Sequence, residues 1–299
     1  VFQFGEITYL KPGTYVYEIS EDAANKVPGY SYSDAKYQAT VKVTDVNGSL
    51  QAEVTGLGEE TDPTVVFTNG YVPTPVTLEG NTALKGTKTL TGRDLKAGEF
   101  EFTLTATDSK APMPTRTTVA NAANGGFTFE PITFRKAGTY YYTIAEKNDG
   151  LGGVTYDSTV YTVKVVVTDK GGYLDAEVTY SAPKAGTQEQ ETKASAAFTN
   201  TYKAEPAHLV LRAEKALTGR DLTAGEFTFL LKNGDGEVVS ETTNAADGTI
   251  TFKELQFAKV GTFEYTVVED SSAQAEGIVY DDVEYKVTVK VTDDLEGNL

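Results

Sequence analysis

The nine residues GTYYYTIAE, Gly138–Glu146, alternate so that Tyr140, Tyr142, Ile144 and Glu146 share one side of an extended chain. The other side carries Thr139 and Thr143, as a solvated face does. This is the period of a half-buried strand, and it ends on an acid where the apolar stripe calls for a hydrophobe. The pattern returns at Gly13–Glu21, with Tyr15, Tyr17, Ile19 and Glu21 aligned, and at Gly261–Glu269, with Phe263, Tyr265, Val267 and Glu269 aligned.

Three further blocks repeat around it. KTLTGRDL at Lys88–Leu95 returns as KALTGRDL at Lys215–Leu222. A block opening at Tyr32, Tyr156 and Tyr280 closes on Val-Thr-Asp at Asp45, Asp169 and Asp293. Phe67-Thr68-Asn69 matches Phe198-Thr199-Asn200. The period is about 125 residues, the size of a domain rather than of a short solenoid unit. Helical periodicity is scarce, while Tyr161–Thr168 and Tyr285–Thr292 alternate. Asn47-Gly48, Gly171-Gly172 and Asn233-Gly234 are hairpin signals between such runs. The expected fold is all-β, tandem immunoglobulin-like β-sandwich domains with the first and last copies truncated. Residues 1–74 form a partial copy without the lysine strand, 75–203 a complete copy, and 204–299 a partial copy without the asparagine strand. The Pro-bearing stretches Val72–Pro75 and Ala204–Ala207 are the expected joints. Ala97–Phe100 and Ala224–Phe227 are expected to open strands.

Composition removes most familiar chemistries. The formal net charge of -17 argues against nucleic acid or an anionic membrane as partner. With no Cys there are no disulfides, thiolate nucleophiles or Cys-ligated metals, and the single His208 makes a Ser-His-Asp triad or a His-rich metal site improbable. No apolar run approaches the roughly 18 residues of a membrane span. No cofactor or metal is expected. Asn233–Glu237 is a hairpin turn rather than a calcium loop, lacking that loop's ligand spacing. Gly92-Arg93-Asp94 and Gly219-Arg220-Asp221 are turns rather than adhesion signals. Scattered Asp and Glu pairs lack the arrangement a hydrolase needs.

The informative residues are polar ones on apolar faces. Lys88 shares a face with Leu84 and Leu90, and Lys215 with Leu209, Leu211, Ala213 and Leu217. Asn200 aligns with Phe198 and Tyr202, and Asn69 with Phe67 and Tyr71. Taken singly, such a residue usually snorkels or marks a strand end. A buried Lys–Glu ion pair is a second ordinary reading, but desolvation makes it a weak stabiliser with little reason to recur in every copy. The joint recurrence of Lys, Glu and Asn on three strands points instead to chemistry. Burial disfavours charge, so the Lys amine can become a neutral nucleophile and the Glu can hold a proton. That Glu would hydrogen-bond the Asn carboxamide oxygen, polarise its carbon and relay a proton to departing ammonia. The product is a Lys–Asn isopeptide, made feasible by the proximity that folding supplies.

At these residues the sequence resembles the isopeptide-linked domains of Gram-positive pilins and surface adhesins. It is most similar to the FctA-like streptococcal pilin isopeptide-linkage domain, a relative of the collagen-adhesin B-type fold. Lys-x-Leu-x-Gly-Arg-Asp-Leu, Tyr-x-Tyr-x-Ile-x-Glu and Phe-Thr-Asn-x-Tyr carry the resemblance, which covers nearly the whole chain. It implies an isopeptide between Lys88 and Asn200 promoted by Glu146. It implies incomplete sets at Glu21 with Asn69 and at Lys215 with Glu269. The implied role is a structural stalk repeat, outside the cell on a Gram-positive surface or wall, its anchoring signal lying outside this stretch. A sortase-polymerised shaft and a monomeric adhesin stalk both fit. The alternative is an adhesive module whose sandwich-end loops contact host protein or carbohydrate. Expected partners are neighbouring repeats of the chain and a host ligand reached through other domains. The two broken ends are further expected to complement one another between chains, through Lys215 and Asn69.

Overall fold

The computed structural model describes residues 2–57, 65–184, 186–187, 189–273 and 275–299. Every extended element among them is a β-strand, and the one helical element is the single 3-10 turn Gly80–Thr82.

The middle copy is a two-sheet sandwich. One sheet orders Gly126–Thr128, Lys85–Thr91, Ala196–Tyr202 and Val154–Thr155. The facing sheet orders Gln190–Lys193, Leu174–Pro183, Val160–Asp169, Gly138–Glu146, Glu101–Ala106 and Thr118–Ala120. Alternation turns the large apolar groups inward from both. Phe102 stacks on Phe127 with ring centroids 3.8 Å apart, Phe198 joins at 5.1 Å from Phe102, and Tyr142, Ile144, Val163 and Val165 close the layer. These rings are almost wholly buried at the centre of the sandwich.

Within the smaller sheet the first and last long strands of the copy lie side by side and parallel. Lys88 is in register with Phe198 and Leu90 with Asn200. The close approach depends on Gly86, where a Cβ would sit 2.3 Å from the Phe127 ring and 2.6 Å from the Ala196 carbonyl oxygen.

The flanking copies repeat parts of this plan. In the first, Gly13–Ser20, Lys36–Val46 and Ser49–Gly56 form an antiparallel sheet, and Tyr30–Ser31 pairs with Gly70–Tyr71. Val43 is its one fully buried hydrophobe among the described residues. In the third, Val238–Thr243, Thr228–Asn233, Gly261–Glu269 and Tyr285–Val291 form a sheet over Phe227, Leu231, Ile250 and Phe252.

The turns follow from local chemistry. Asn47 and Gly48 adopt φ of 55° and 80°, the left-handed pair a two-residue hairpin requires. Asn233 Oδ1 accepts from the backbone N–H of Asp235 and Glu237, closing a hairpin turn. Ala97–Phe100 and Ala224–Phe227 do not open strands. The strands start at Glu101 and Thr228, because Glu99 and Glu226 turn back to pair with Arg93 and Arg220.

Gly86→Ala forces a methyl group into the parallel strand pair and should cost about 1–3 kcal/mol. Thermal melting should show the loss as a fall of several degrees, while Gly5→Ala, whose Cβ meets nothing within 4 Å, should leave the transition in place.

Candidate functional site

The three inward polar residues of the middle copy converge from three strands. Lys88 and Asn200 leave adjacent parallel strands of one sheet, and Glu146 reaches them from the end of Gly138–Glu146 in the other. The side chains of Lys88 and Glu146 are both 0% exposed, and Asn200 is 0% exposed as a residue. Lys88 Nζ lies 2.6 Å from Glu146 Oε1. The same oxygen accepts a hydrogen bond from Asn200 Nδ2 at 3.1 Å. The lysine contact is close but misaligned, so that neither Nζ nor Oε2 has a hydrogen bond of ordinary geometry. Nζ sits 4.5 Å from the centroid of the Phe100 ring.

The carboxamide oxygen is held by the main chain. Asp157 donates its backbone N–H to Asn200 Oδ1 at 2.7 Å. A backbone N–H can only donate, so it decides the orientation of the carboxamide, with oxygen toward Asp157 and nitrogen toward Glu146. This departs from the expectation that Glu146 bonds the carboxamide oxygen, because the amide of Asp157 already occupies that place. Asp157 is fixed in turn, its carboxylate accepting from the backbone N–H of Thr159 and of Thr199, each at 2.9 Å. Burial pushes that carboxyl up, but these bonds and the nearby Lys88 hold it below its ordinary range.

Burial is the largest influence on both members of the central pair, and it acts in opposite directions. It pushes the Lys88 amine down and the Glu146 carboxyl up, and their mutual attraction opposes both shifts without reversing either. Two separated charges in this core would each lose several kcal/mol of hydration. Passing one proton from amine to carboxyl removes both penalties at once. Burial thus works against the charged form of each partner, pushing the amine toward neutrality and the acid toward holding its proton.

The flanking copies hold the complementary parts. In the first, Asn69 Nδ2 donates to Glu21 Oε1 at 2.7 Å, and the Ser33 N–H donates to Asn69 Oδ1 at 2.9 Å. Here the asparagine is exposed. In the third, Lys215 Nζ donates to both Glu269 oxygens at 2.7 and 2.8 Å, and lies 4.4 Å from the Phe227 centroid. The Asp281 N–H bonds Glu269 Oε2 at 3.0 Å. Lys215 and Asn69 belong to different copies and do not meet. Ser33, Asp157 and Asp281 each follow the tyrosine that opens its block, which marks the position in sequence although the working group is a backbone amide.

The family profile described as FctA, Spy0128-like isopeptide containing domain, matches residues 1–72, 84–203 and 211–299. The chain belongs to this Spy0128-like isopeptide-containing family. A pilin of Streptococcus pyogenes serotype M1 is 31% identical over 107 residues, a match spanning 35% of this chain and 29% of that pilin. Among solved structures, the T-13 major pilin of Streptococcus pyogenes is similar at 22% identity over 73% of this chain and 94% of that one, with a TM-score of 0.32. The Bacillus anthracis TIE protein is similar at 11% identity over 89% and 58%, with a TM-score of 0.23. The family name fits a chain in which Lys, Glu and Asn recur at domain spacing.

Lys88→Met removes the amine beside Glu146 and leaves the raised carboxyl without that partner in the core. A raised folded-state pKa stabilises below the unfolded value, about 4.3, and that stability is lost as pH climbs through the folded value. The unfolding free energy of Lys88→Met relative to Lys88→Met/Glu146→Gln should therefore fall as pH rises from about 4, by up to about 1.4 kcal/mol per pH unit, as read by denaturant melts of both variants. Parallel slopes for the two variants would contradict the dry-acid assignment.

Proposed function

We propose that Lys88 and Asn200 condense into an intramolecular isopeptide bond promoted by Glu146. On this reading the chain is a self-cross-linked stalk repeat of a Gram-positive surface pilus or adhesin. The observation that carries the reading is one carboxyl oxygen, Glu146 Oε1, poised between the amine and the carboxamide nitrogen in a dry core.

The neutral Lys88 amine attacks Cγ of Asn200, and the carbonyl electron pair moves onto Oδ1, where the Asp157 N–H stabilises it as an oxyanion-hole donor does. Protonated Glu146 gives its proton to Nδ2 and takes one from Nζ. The C–N bond to Nδ2 breaks and ammonia leaves, so one C–N bond forms and one is lost. Both reactants are consumed, which makes this a single event in the life of the protein rather than turnover. Residues 75–203 act as the autonomous cross-linked unit, with 1–74 and 204–299 as partial copies.

The strand arrangement gives the bond a mechanical use. Because the first and last strands are parallel, pulling the two ends of the copy shears one against the other. A covalent link between Lys88 and Asn200 takes that load directly and bypasses the residues between them. This suits a load-bearing fibre outside the cell, in a protein with no Cys to form disulfides.

The intact mass of the purified chain should fall short of the sequence mass by about 17 Da, one ammonia. Glu146→Ala should abolish the deficit, and Lys85→Ala, on the exposed face, should keep it. Full mass in folded protein would overturn the proposal. Asp157→Pro removes the N–H donor and should slow bond formation about 10²–10³-fold on refolding, while Asp157→Ala keeps the donor and slows it far less.

A second reading concerns the ends. Beside Lys215 and Glu269 lies a groove of about 650 Å³, walled by Ile250, Val267, Tyr280 and Val287, where the middle copy has its asparagine strand. This groove suits an Asn-bearing strand from another chain, the Asn69 segment being the one at hand. Concentrated protein should then give boiling-resistant oligomers on a denaturing gel, and monomer alone after long incubation would end this reading.

A further inference from the structure

Two junctions between successive copies are built from the same groups, and neither takes part in the Lys–Glu–Asn site. At the first, the Tyr71 hydroxyl donates to the Asp169 carboxylate at 2.8 and 2.9 Å and accepts from the Gly172 N–H at 2.9 Å. At the second, the Tyr202 hydroxyl donates to Asp293 Oδ1 at 2.6 Å and accepts from the Gly297 N–H at 3.1 Å. Both tyrosines stand two residues beyond the asparagine of their own copy, and both acids close the Val-Thr-Asp of the next.

The main chain repeats as well. Val72 N–H donates to the Gly29 carbonyl, and Lys203 N–H to that of Gly153. Thr74 N–H donates to Gly172 and Glu205 N–H to Gly297, so each linker residue forms a parallel β-bridge with the next copy's hairpin, at Tyr173 and at Asn298. The linkers thereby become part of the sheet hydrogen-bonding.

Glycine permits the approach. A Cβ on Gly152 would lie 1.9 Å from the Glu296 carbonyl oxygen, and one on Gly297 would lie 2.6 Å from the Gly153 nitrogen. At the first junction a Cβ on Gly172 would lie 2.5 Å from Pro28 Cβ. In the first copy's hairpin, Gly48 holds the position of Gly172, and a Cβ there would meet nothing within 4 Å.

The Leu-Thr-Gly-Arg-Asp-Leu motif completes the second junction from behind. The Arg93 guanidinium lies 4.8 Å from the centroid of the Tyr202 ring and pairs with Glu99, the two side chains being 8% and 10% exposed. In the third copy the matching Arg220–Glu226 pair is 48% and 22% exposed. The motif arginine is thus shielded where a tyrosine-ended strand lies against it.

We infer that this is a dedicated docking surface, in which the tyrosine-ended strand of one copy seats in the Asp–Gly hairpin of the next and locks the two at a fixed angle. The partner it fits is another repeat of the same kind. The tandem array is on this basis a rigid rod with sequence-encoded joints, independently of whether Lys88 and Asn200 are bonded.

The chain has no Cys, so Lys164→Cys and Lys290→Cys, both exposed and in adjacent copies, accept a pair of spin labels in the full chain. Pulsed dipolar spectroscopy should give one narrow distance distribution. Gly152→Ala, which collides only with the next copy, should broaden it at least twofold, and Tyr202→Phe should broaden it to a lesser degree. Amide hydrogen exchange of the core strands Val160–Asp169 and Ala196–Tyr202 should be unchanged in Gly152→Ala, showing that the middle copy is intact. A broad distribution in the labelled parent, or one unchanged by Gly152→Ala, would overturn the inference.

Discussion

A lysine and a glutamate, both at 0% side-chain exposure, face each other 2.6 Å apart in the core of the middle copy. Lys88 and Glu146 cannot both keep their charges cheaply at 0% exposure, and the smallest change that relieves the cost is transfer of one proton between them. On the proposed reading, such a transfer would turn an ammonium into a nucleophile and a carboxylate into a proton donor. The packed rings of Phe100, Phe102, Phe127 and Phe198 are therefore as much a part of the site as the polar groups, because their burial around the pair is what disfavours its charges.

The second constraint is topological. Placing the first and last strands of a copy side by side and parallel needs a small residue, Gly86, and a long intervening path through the other sheet. It sets residues more than a hundred positions apart on neighbouring strands. The same strand runs on from Asn200 to Tyr202 and the junction with the next copy, so the buried asparagine and the joint between copies lie on one continuous strand.

The main lines were legible in the sequence because a strand has a period of two. Lys88, Glu146 and Asn200 stood out as polar residues in apolar stripes, and their recurrence at domain spacing made chance burial a poor explanation. What could not be read was anything carried by the backbone. The parallel pairing of the lysine and asparagine strands leaves no mark on either strand's pattern. The Asp157 N–H that holds Asn200 Oδ1 is invisible for the same reason, and so the carboxamide was expected the other way round. The steps Ala97–Phe100 and Ala224–Phe227 resemble strand openings in sequence because nothing in their pattern announces the pairing of Glu99 with Arg93 and of Glu226 with Arg220. The tyrosines of the asparagine block read as core residues, whereas the hydroxyls of Tyr71 and Tyr202 belong to the junctions.

Peptide mapping of the digested chain reads directly which two atoms are joined. Tandem mass spectrometry should find a branched peptide in which the Lys88 side chain is bonded to the Asn200 side chain, with no cleavage after Lys88 by a lysine-specific protease. Linear peptides carrying an unmodified Lys88 and an unmodified Asn200, recovered in full yield from folded protein, would contradict it.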